Sequence, residues 1–256
     1  MLIDAHCHLD HLGFASACSF LEHLGDKNLK TVIASGTKPA DWLFYQKLVE
    51  CHNNIKVCCG IHPLEISETW ENDLVTLEKI LPQCVAVGEI GLDFHGIFQS
   101  ENIETMKLQM KVFEKQLLLA KKYNKPIVIH CREAFTILKE ILLYAKFPLN
   151  KVLFHCFVED IQAAQWIKDN DGYVSYSGVL TFKKPGHTQT TAAWMPLDHI
   201  LIETDSPYLA PVPLRGKINS PEYVVYVAQK LAEIKNISFS ECATQTTDNA
   251  HRFFGF

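Results

Sequence analysis

Eight short, almost continuously apolar runs recur along the chain: "MLIDAHC", "KTVIASG", "IKVCCGIHP", "CVAVGEIGLD", "KPIVIHCRE", "KVLFHCF", "GYVSYSG" and "HILIETDSP". Runs of this length that lack strict apolar–polar alternation suit parallel strands covered on both faces. Longer stretches with a helical period lie between them. "ETMKLQMKVFEKQLLLAKKY" carries apolar residues at three- and four-residue spacing, and "PEYVVYVAQKLAEI" opens with Pro221 after Ser220, a cap followed by a first-turn proline. Each gap has room for a crossover helix, so the pattern predicts an α/β chain of eight strand–helix units. Within 256 residues that count predicts a closed TIM (β/α)8 barrel, one domain over residues 1–256, with a doubly wound open sheet as the alternative. No internal repeat, low-complexity tract or Pro/Gly/Ser linker divides the chain.

Polar residues interrupt these runs at one end. His6 and His8 close the first, His62 follows the third, Glu89 lies on the fourth, His130 and Arg132 end the fifth, His155 the sixth and Asp205 the eighth. All are C-terminal on their strands, the face on which barrel enzymes assemble active sites. The first pair alone proves little, since 12 histidines in 256 residues yield on the order of half an H-x-H by chance. Jointly they carry more weight, because buried acids and imidazoles at an apolar barrel mouth are costly unless paired or bound to a cation. Strand alternation puts His6 and His8 on one face with Asp4, and turns Cys7, Cys131 and Cys156 away as packing thiols. The six candidate ligands are thus His6, His8, Glu89, His130, His155 and Asp205. They suit two divalent cations: His6, His8 and Asp205 on one, His130 and His155 on the other, and Glu89 bridging. Two such ions, roughly 3.5–4 Å apart, stabilise both the attacking and the leaving oxygen in a phosphoryl displacement. No side chain in the set is an obvious covalent nucleophile, so hydrolysis by activated water is the economical reading. Arg132, two residues after His130, is placed to clamp a phosphate, its alternative being a surface ion pair with Glu133 or another acid. His62, fixed by the following proline, is placed to donate a hydrogen bond or proton to substrate, its alternative being a loop histidine hydrogen-bonded to the backbone. His23, His52 and His251 fall in helical or exposed contexts, whereas His95 and His187 lie in loops that the pattern leaves unassigned.

Composition narrows the class only slightly. A hydrophobic fraction of 48% and a charged fraction of 21%, with mean hydropathy +0.02, describe an ordinary soluble globular chain. No apolar run is long enough to span a bilayer, and the N-terminal Asp4 and His6 do not resemble a signal peptide, so a cytoplasmic protein without membrane association is expected. Nine cysteines, an odd number without C-x-x-C, read as reduced core thiols rather than a disulfide framework or zinc ribbon. The net charge of -5 gives no global attraction to nucleic acid, which leaves that task to a local basic surface or to phosphate-binding metal.

"IDAHCHLD", "GIHP", "VGEIGLDF", "IHCREA", "HCF", "YVSYSGVLTF", "ILIETDSPYLAP" and "RGKINSP" occur in this order, and together they resemble the TatD family of metal-dependent deoxyribonucleases among the amidohydrolase-like barrels. The resemblance spans nearly the whole chain. It implies a TIM barrel with a divalent metal centre (magnesium, manganese or zinc) on the same six ligands, with Asp205 also serving as general base beside the catalytic Glu89. It further implies that His62, Arg132 and the Arg215 of "PLRGK" face substrate phosphates. The activity so implied is hydrolysis of DNA phosphodiesters, often as a 3'-to-5' exonuclease, on single-stranded or frayed ends, and no obligate protein partner is indicated. The chain departs from the family at "VED" after "HCF", where Ser-Gly is common, and at Phe94 and His95 after "GLD". Both are loops that shape the substrate cleft.

Two other functions compete. A hydrolase of small esters, lactones or amides is feasible on the same barrel. In that superfamily a carboxylated lysine often bridges the metals from the fourth strand, and Glu89 in that place favours the nuclease. A binding protein that keeps metal only for stability ranks last, since a structural site closes its coordination shell, whereas a barrel mouth leaves a water position. Phe94, Phe157, Phe182 and Tyr208 are candidates to stack on bases, with core packing as the alternative.

Overall fold

The computed structural model describes residues 1–96 and 102–256. All eight apolar runs are strands: β1 (Leu2–Cys7), β2 (Leu29–Gly36), β3 (Ile55–Cys59), β4 (Ala86–Asp93), β5 (Ile127–Arg132), β6 (Val152–Phe154), β7 (Tyr173–Tyr176) and β8 (Ile200–Ile202). They pair in parallel in chain order. The helices between them are α1 (Phe14–Glu22), α2 (Pro39–Cys51), α3 (Trp70–Ile80), α4 (Ile103–Lys122), α5 (Phe135–Tyr144), α6 (Ile161–Asp169) and α7 (Thr188–Trp194), and α8 (Val224–Lys235) and α9 (Phe239–Phe254) follow the last strand. This is the (β/α)8 barrel rather than the open sheet. The start of α8 differs from its sequence signal: Pro221–Tyr223 form a 3-10 turn first, and the Ser220 side chain makes no capping bond.

Alternation along each strand divides the apolar residues into two sets. Ile33, Cys58, Ala86, Val128, Leu153 and Leu201, one from each of six strands, join Ile3 and Ala5 of β1 inside the barrel, and Phe253 and Phe254 of α9 close its base. Their neighbours Val32, Val57, Val87, Ile127 and Val152 pack outward under the helices. Full burial of such side chains stabilises the fold by about 1.5–3 kcal/mol each.

β1 breaks the simple alternation. Asp4 opposes Val32 while Cys7 opposes Ala34, so β1 carries one residue more than β2 over that stretch. The irregularity lets Ala5 belong to the interior and His6 still turn to the mouth. It also corrects the placement of Asp4, which does not join the histidines. Its buried carboxylate reaches across the β1–β8 seam, accepting the Thr204 backbone N–H at 2.9 Å and the Thr204 hydroxyl at 2.5 Å. The seam is completed by the Asp205 N–H on the His6 carbonyl and the His8 N–H on the Ser206 carbonyl. Burial pushes the Asp4 carboxyl well up, so a neutral amide of the same shape is the mild replacement. Asp4→Ala is expected to lower the unfolding free energy by about 1–3 kcal/mol, through buried donors left unpaired, and Asp4→Asn by less. Urea melts of the two variants check this; equal losses would mean that volume, not hydrogen bonding, matters at the seam.

Gly91 in β4 shows how closely the strands carrying the candidate ligands approach. Its φ is +143°, and a Cβ there would lie 2.0 Å from the His130 carbonyl oxygen, so only glycine fits between Glu89 and its β5 neighbours.

Candidate metal centre

The six residues singled out as ligands converge at the C-terminal mouth, and Glu89 is their centre. One carboxylate oxygen of Glu89, Oε2, lies 3.3 Å from His6 Nε2 and 3.8 Å from His8 Nε2. The other, Oε1, lies 2.8 Å from His155 Nε2, 2.9 Å from His130 Nδ1 and 3.3 Å from His62 Nε2. Asp205 Oδ1 stands 3.5 Å from His8 Nε2 and 3.7 Å from His6 Nε2. Not all of these residues lie within strands: His8 and His155 directly follow β1 and β6, and His62 and Asp205 each follow their strand by three residues. Asp205 has φ +56°, a left-handed turn that a short acidic side chain tolerates, and its N–H is anchored on His6.

Hydrogen bonds behind the ring fix which nitrogen each imidazole presents. The Ser35 carbonyl, an acceptor only, lies 3.0 Å from His8 Nδ1, so that nitrogen carries hydrogen and Nε2 is the one turned to the centre, free to ligate once it gives up any proton of its own. The Ser35 hydroxyl meets His6 Nδ1 at 3.2 Å, and the two Nε2 atoms face each other at 3.3 Å. Two imidazole nitrogens aimed at one point beside two carboxylate oxygens form a donor set for a cation. On the other side Asp93 accepts from His130 Nε2 at 3.0 Å, leaving Nδ1 toward Glu89. Glu203 binds His155 Nδ1 at 3.3 Å and is itself held by the Cys156 N–H and the Ser175 hydroxyl. His62 differs. Its Nδ1 accepts the Leu64 N–H at 3.1 Å, so Nε2 carries the hydrogen and points a donor, not a lone pair, at Glu89.

Donor atoms of His6, His8 and Asp205 lie close enough together to hold one ion; those of His62, Glu89 and His130 lie as close, but His62 presents a hydrogen there rather than a lone pair. A third such group, His6, His155 and Glu203, is less suited, since both Glu203 oxygens are already engaged. Charges in the cluster are mutually adjusted. Burial pushes Glu89 up, but His155, His62 and the bonds from His130 and His155 overcome it and hold the carboxyl well below its ordinary range. Asp205 is lowered in the same way, by His8, His6 and His155 against burial. Burial pulls His155 down, and Glu89 and Glu203 lift it well above the ordinary imidazole value. Burial likewise lowers His8, and Asp205 with Glu89 raises it to about 9. His6 alone is lowered, by burial and by the His155 cation.

The remaining sequence candidates scatter. Arg132 is exposed at the end of β5 and helps lower Asp93; the Glu133 carboxylate pairs with His95 at 2.6 Å rather than with Arg132. Arg215 is exposed and stacks 3.8 Å above the Phe182 ring. Phe94 and Phe157 are buried core residues, which removes them as base-stacking candidates. Tyr208 is 63% exposed, with its ring 6.1 Å from that of His8. Cys7 packs in the outer core and Cys131 at its edge, whereas Cys156, at φ +46°, turns its thiol to the Ser177 hydroxyl at 3.1 Å. All nine cysteines are free. Sequence reading missed Ser35, Asp93 and Glu203. The last two left a signal, each being an acid in an apolar run that already held a candidate ligand.

Comparisons with known proteins identify the family. Residues 3–255 match the family model described as TatD-related DNase. YcfH of Escherichia coli (strain K12), an uncharacterized metal-dependent hydrolase, is 35% identical over 99% of this chain and 95% of its own length. YabD of Bacillus subtilis (strain 168), described in the same terms, is 33% identical over 99% of both. The crystal structure of YjjV, a TatD homologue from Escherichia coli K12, superposes with a TM-score of 0.91 at 26% identity, covering 100% of this chain and 98% of that one. With a family match from end to end and relatives above 30% identity, the chain belongs to the TatD-related DNase family of metal-dependent hydrolases.

Proposed function

We propose that the protein hydrolyses phosphodiester bonds in DNA, removing nucleotides from the 3' end of single strands or frayed duplex ends. The observation that carries this reading is the division of Glu89, with Oε2 turned to His6 and His8 and Oε1 to His130 and His155. A carboxylate so shared suits a bridging ligand of two divalent cations, with His6, His8 and Asp205 completing one side and His130 and His155 the other. Bound there, the ions would supply charge for the attacking and leaving oxygens of a phosphoryl displacement and lower the pKa of water.

The chain's own groups do the rest. Asp205, held ionised beside His8, is the carboxylate that takes the proton of the attacking water. His62 presents Nε2–H as a donor to a non-bridging phosphate oxygen. Its tautomer, set by the Leu64 N–H, makes it a substrate-binding group rather than a ligand. Arg132, with no carboxylate partner within 4.0 Å among the described residues, forks onto the same phosphate, and Arg215 on its Phe182 platform meets the next one along the strand. Tyr208 offers an exposed ring beside His8 on which the terminal base stacks.

The test uses metal-stripped protein and single-stranded or duplex DNA labelled at the 5' or the 3' end, titrated with magnesium, manganese and zinc. Expected is metal-dependent, stepwise shortening of the 5'-labelled strand, with the 3' label released at once as a mononucleotide. No release with any ion, from protein shown to bind metal, would overturn the reading in favour of ester, lactone or amide substrates.

A further inference from the structure

At the opposite end of the barrel from the metal centre lies a cavity of about 880 Å³, walled by the segments that lead into β3 to β8 and by the end of α9. Four cations, Lys56, Lys125, Lys151 and Arg252, line it against a single acid, the exposed Asp171, in a chain whose net charge is -5. Among the described residues each of the four meets only uncharged partners. Lys125 donates to the Cys84 carbonyl at 2.5 Å, and Lys151 to the Asn124 carbonyl at 3.1 Å and side-chain oxygen at 2.5 Å. Arg252 reaches the Asp198 carbonyl at 3.4 Å, and Lys56 lies 5.8 Å over the Phe256 ring. Among the described residues none of the four has a carboxylate within 4.0 Å, although six other lysines do. Carbonyls and rings position the positive charges without neutralising them, so the charge is left for a mobile anion.

The wall selects among anions. Tyr173 and Phe253, in edge contact at 5.2 Å, form its apolar floor, and the half-buried Phe256 adds a further ring. The exposed amides of Gln83, Asn124 and Asn150 on the rim can pair with the edge of a heterocycle. The volume falls in the range of small-molecule sites, roughly 300–1,000 Å³. We propose that the base of the barrel is a second binding site, separate from the catalytic mouth, for a phosphorylated heterocycle of nucleoside monophosphate size. Its phosphate sits among the lysines and Arg252, and its ring lies against the aromatic floor.

Isothermal titration of the metal-stripped full chain with dAMP, and separately with inorganic phosphate, tests this. Expected is a dAMP site at least tenfold tighter than any phosphate site. It should weaken at least tenfold in Lys151→Gln/Arg252→Gln, which changes two residues at the cavity rim, and persist in Arg132→Gln at the mouth. Amide shifts of Tyr173 and Gly255 on adding dAMP to the unaltered protein locate the same site without any variant. Phosphate binding as tight as dAMP, dAMP binding that survives the double variant, or no dAMP binding would each overturn the proposal. No turnover enters the measurement, so its result stands apart from whether the mouth cleaves DNA.

Discussion

Glu89→Gln is expected to reduce turnover by about 10³-fold or more and to leave at most one of the two metal equivalents proposed for the unaltered protein tightly bound. Glutamine keeps the length and volume of the side chain, so the barrel should fold. What it cannot keep is two anionic oxygens. Whichever way the amide turns, either His6 and His8 or His130 and His155 face an NH2 donor in place of a carboxylate oxygen. That pair then loses both its anionic partner and its share of a bridging ligand. His155, raised mainly by Glu89 against burial, should titrate at lower pH in the variant. Metal content by mass spectrometry or chelator competition, initial rates, and histidine titration by nuclear magnetic resonance check the three parts. Two equivalents of metal retained, with turnover within tenfold of the unaltered protein, would show that Glu89 is not shared between ions.

The barrel was legible because its eight strands are buried on both faces and therefore read as apolar runs that any helical or alternating pattern would break. The convergence of His6, His8, Glu89, His130, His155 and Asp205 was legible for a related reason, since polar residues stood out at one end of those runs. What the pattern hid lies in three places. Ser35 orients His8 through its backbone carbonyl, which no side-chain pattern encodes. The irregularity in β1 sends Asp4 to the seam instead of the mouth, a departure from period two that arises only where β1 and β2 are paired. The role of His62 depends on which ring nitrogen the Leu64 N–H occupies, a local contact formed by the turn after Pro63. Aromatic residues were least legible. Phe94 and Phe157 are as hydrophobic as Tyr208, and only burial separates the core residues from the ring left exposed at the mouth.

The same lock on tautomers explains how the site tolerates its own charges. In the metal-free protein the carboxylates around them draw His8, His130 and His155 toward the protonated form, whose charge offsets that of Glu89 and Asp205. Each imidazole lifted by a carboxylate is an imidazole that must give up its proton to become a ligand. Positive charge is therefore required at the centre in either state, from protons or from ions, and the two compete for the same nitrogens.

That competition gives the second large effect, a steep rise of metal affinity with pH. His8 is raised to about 9 in the metal-free site, and its Nδ1 hydrogen stays on the Ser35 carbonyl, so the proton displaced by an ion is the one on Nε2. Below pH 9 each unit of acidification should weaken the first ion about tenfold through this residue alone, or about 100-fold between pH 9 and pH 7, with a steeper slope where His130 and His155 also release protons. The metal-free protein should show the opposite trend in stability. Because the folded pKa of His8 exceeds its ordinary 6.5, its contribution is fully present below about that value and is lost as pH rises through 9. Raising the pH from 6.5 to 9 should thus lower the metal-free melting temperature while tightening metal binding. Zinc affinity by competition with a chromophoric chelator from pH 6 to 9, beside melting curves with and without metal, measures both. His8→Asn should flatten the affinity slope by about one proton per ion. An affinity that is flat or falls over that range would show that His8 is neutral before metal arrives, and that the carboxylates, not protons on the histidines, set the charge of the site.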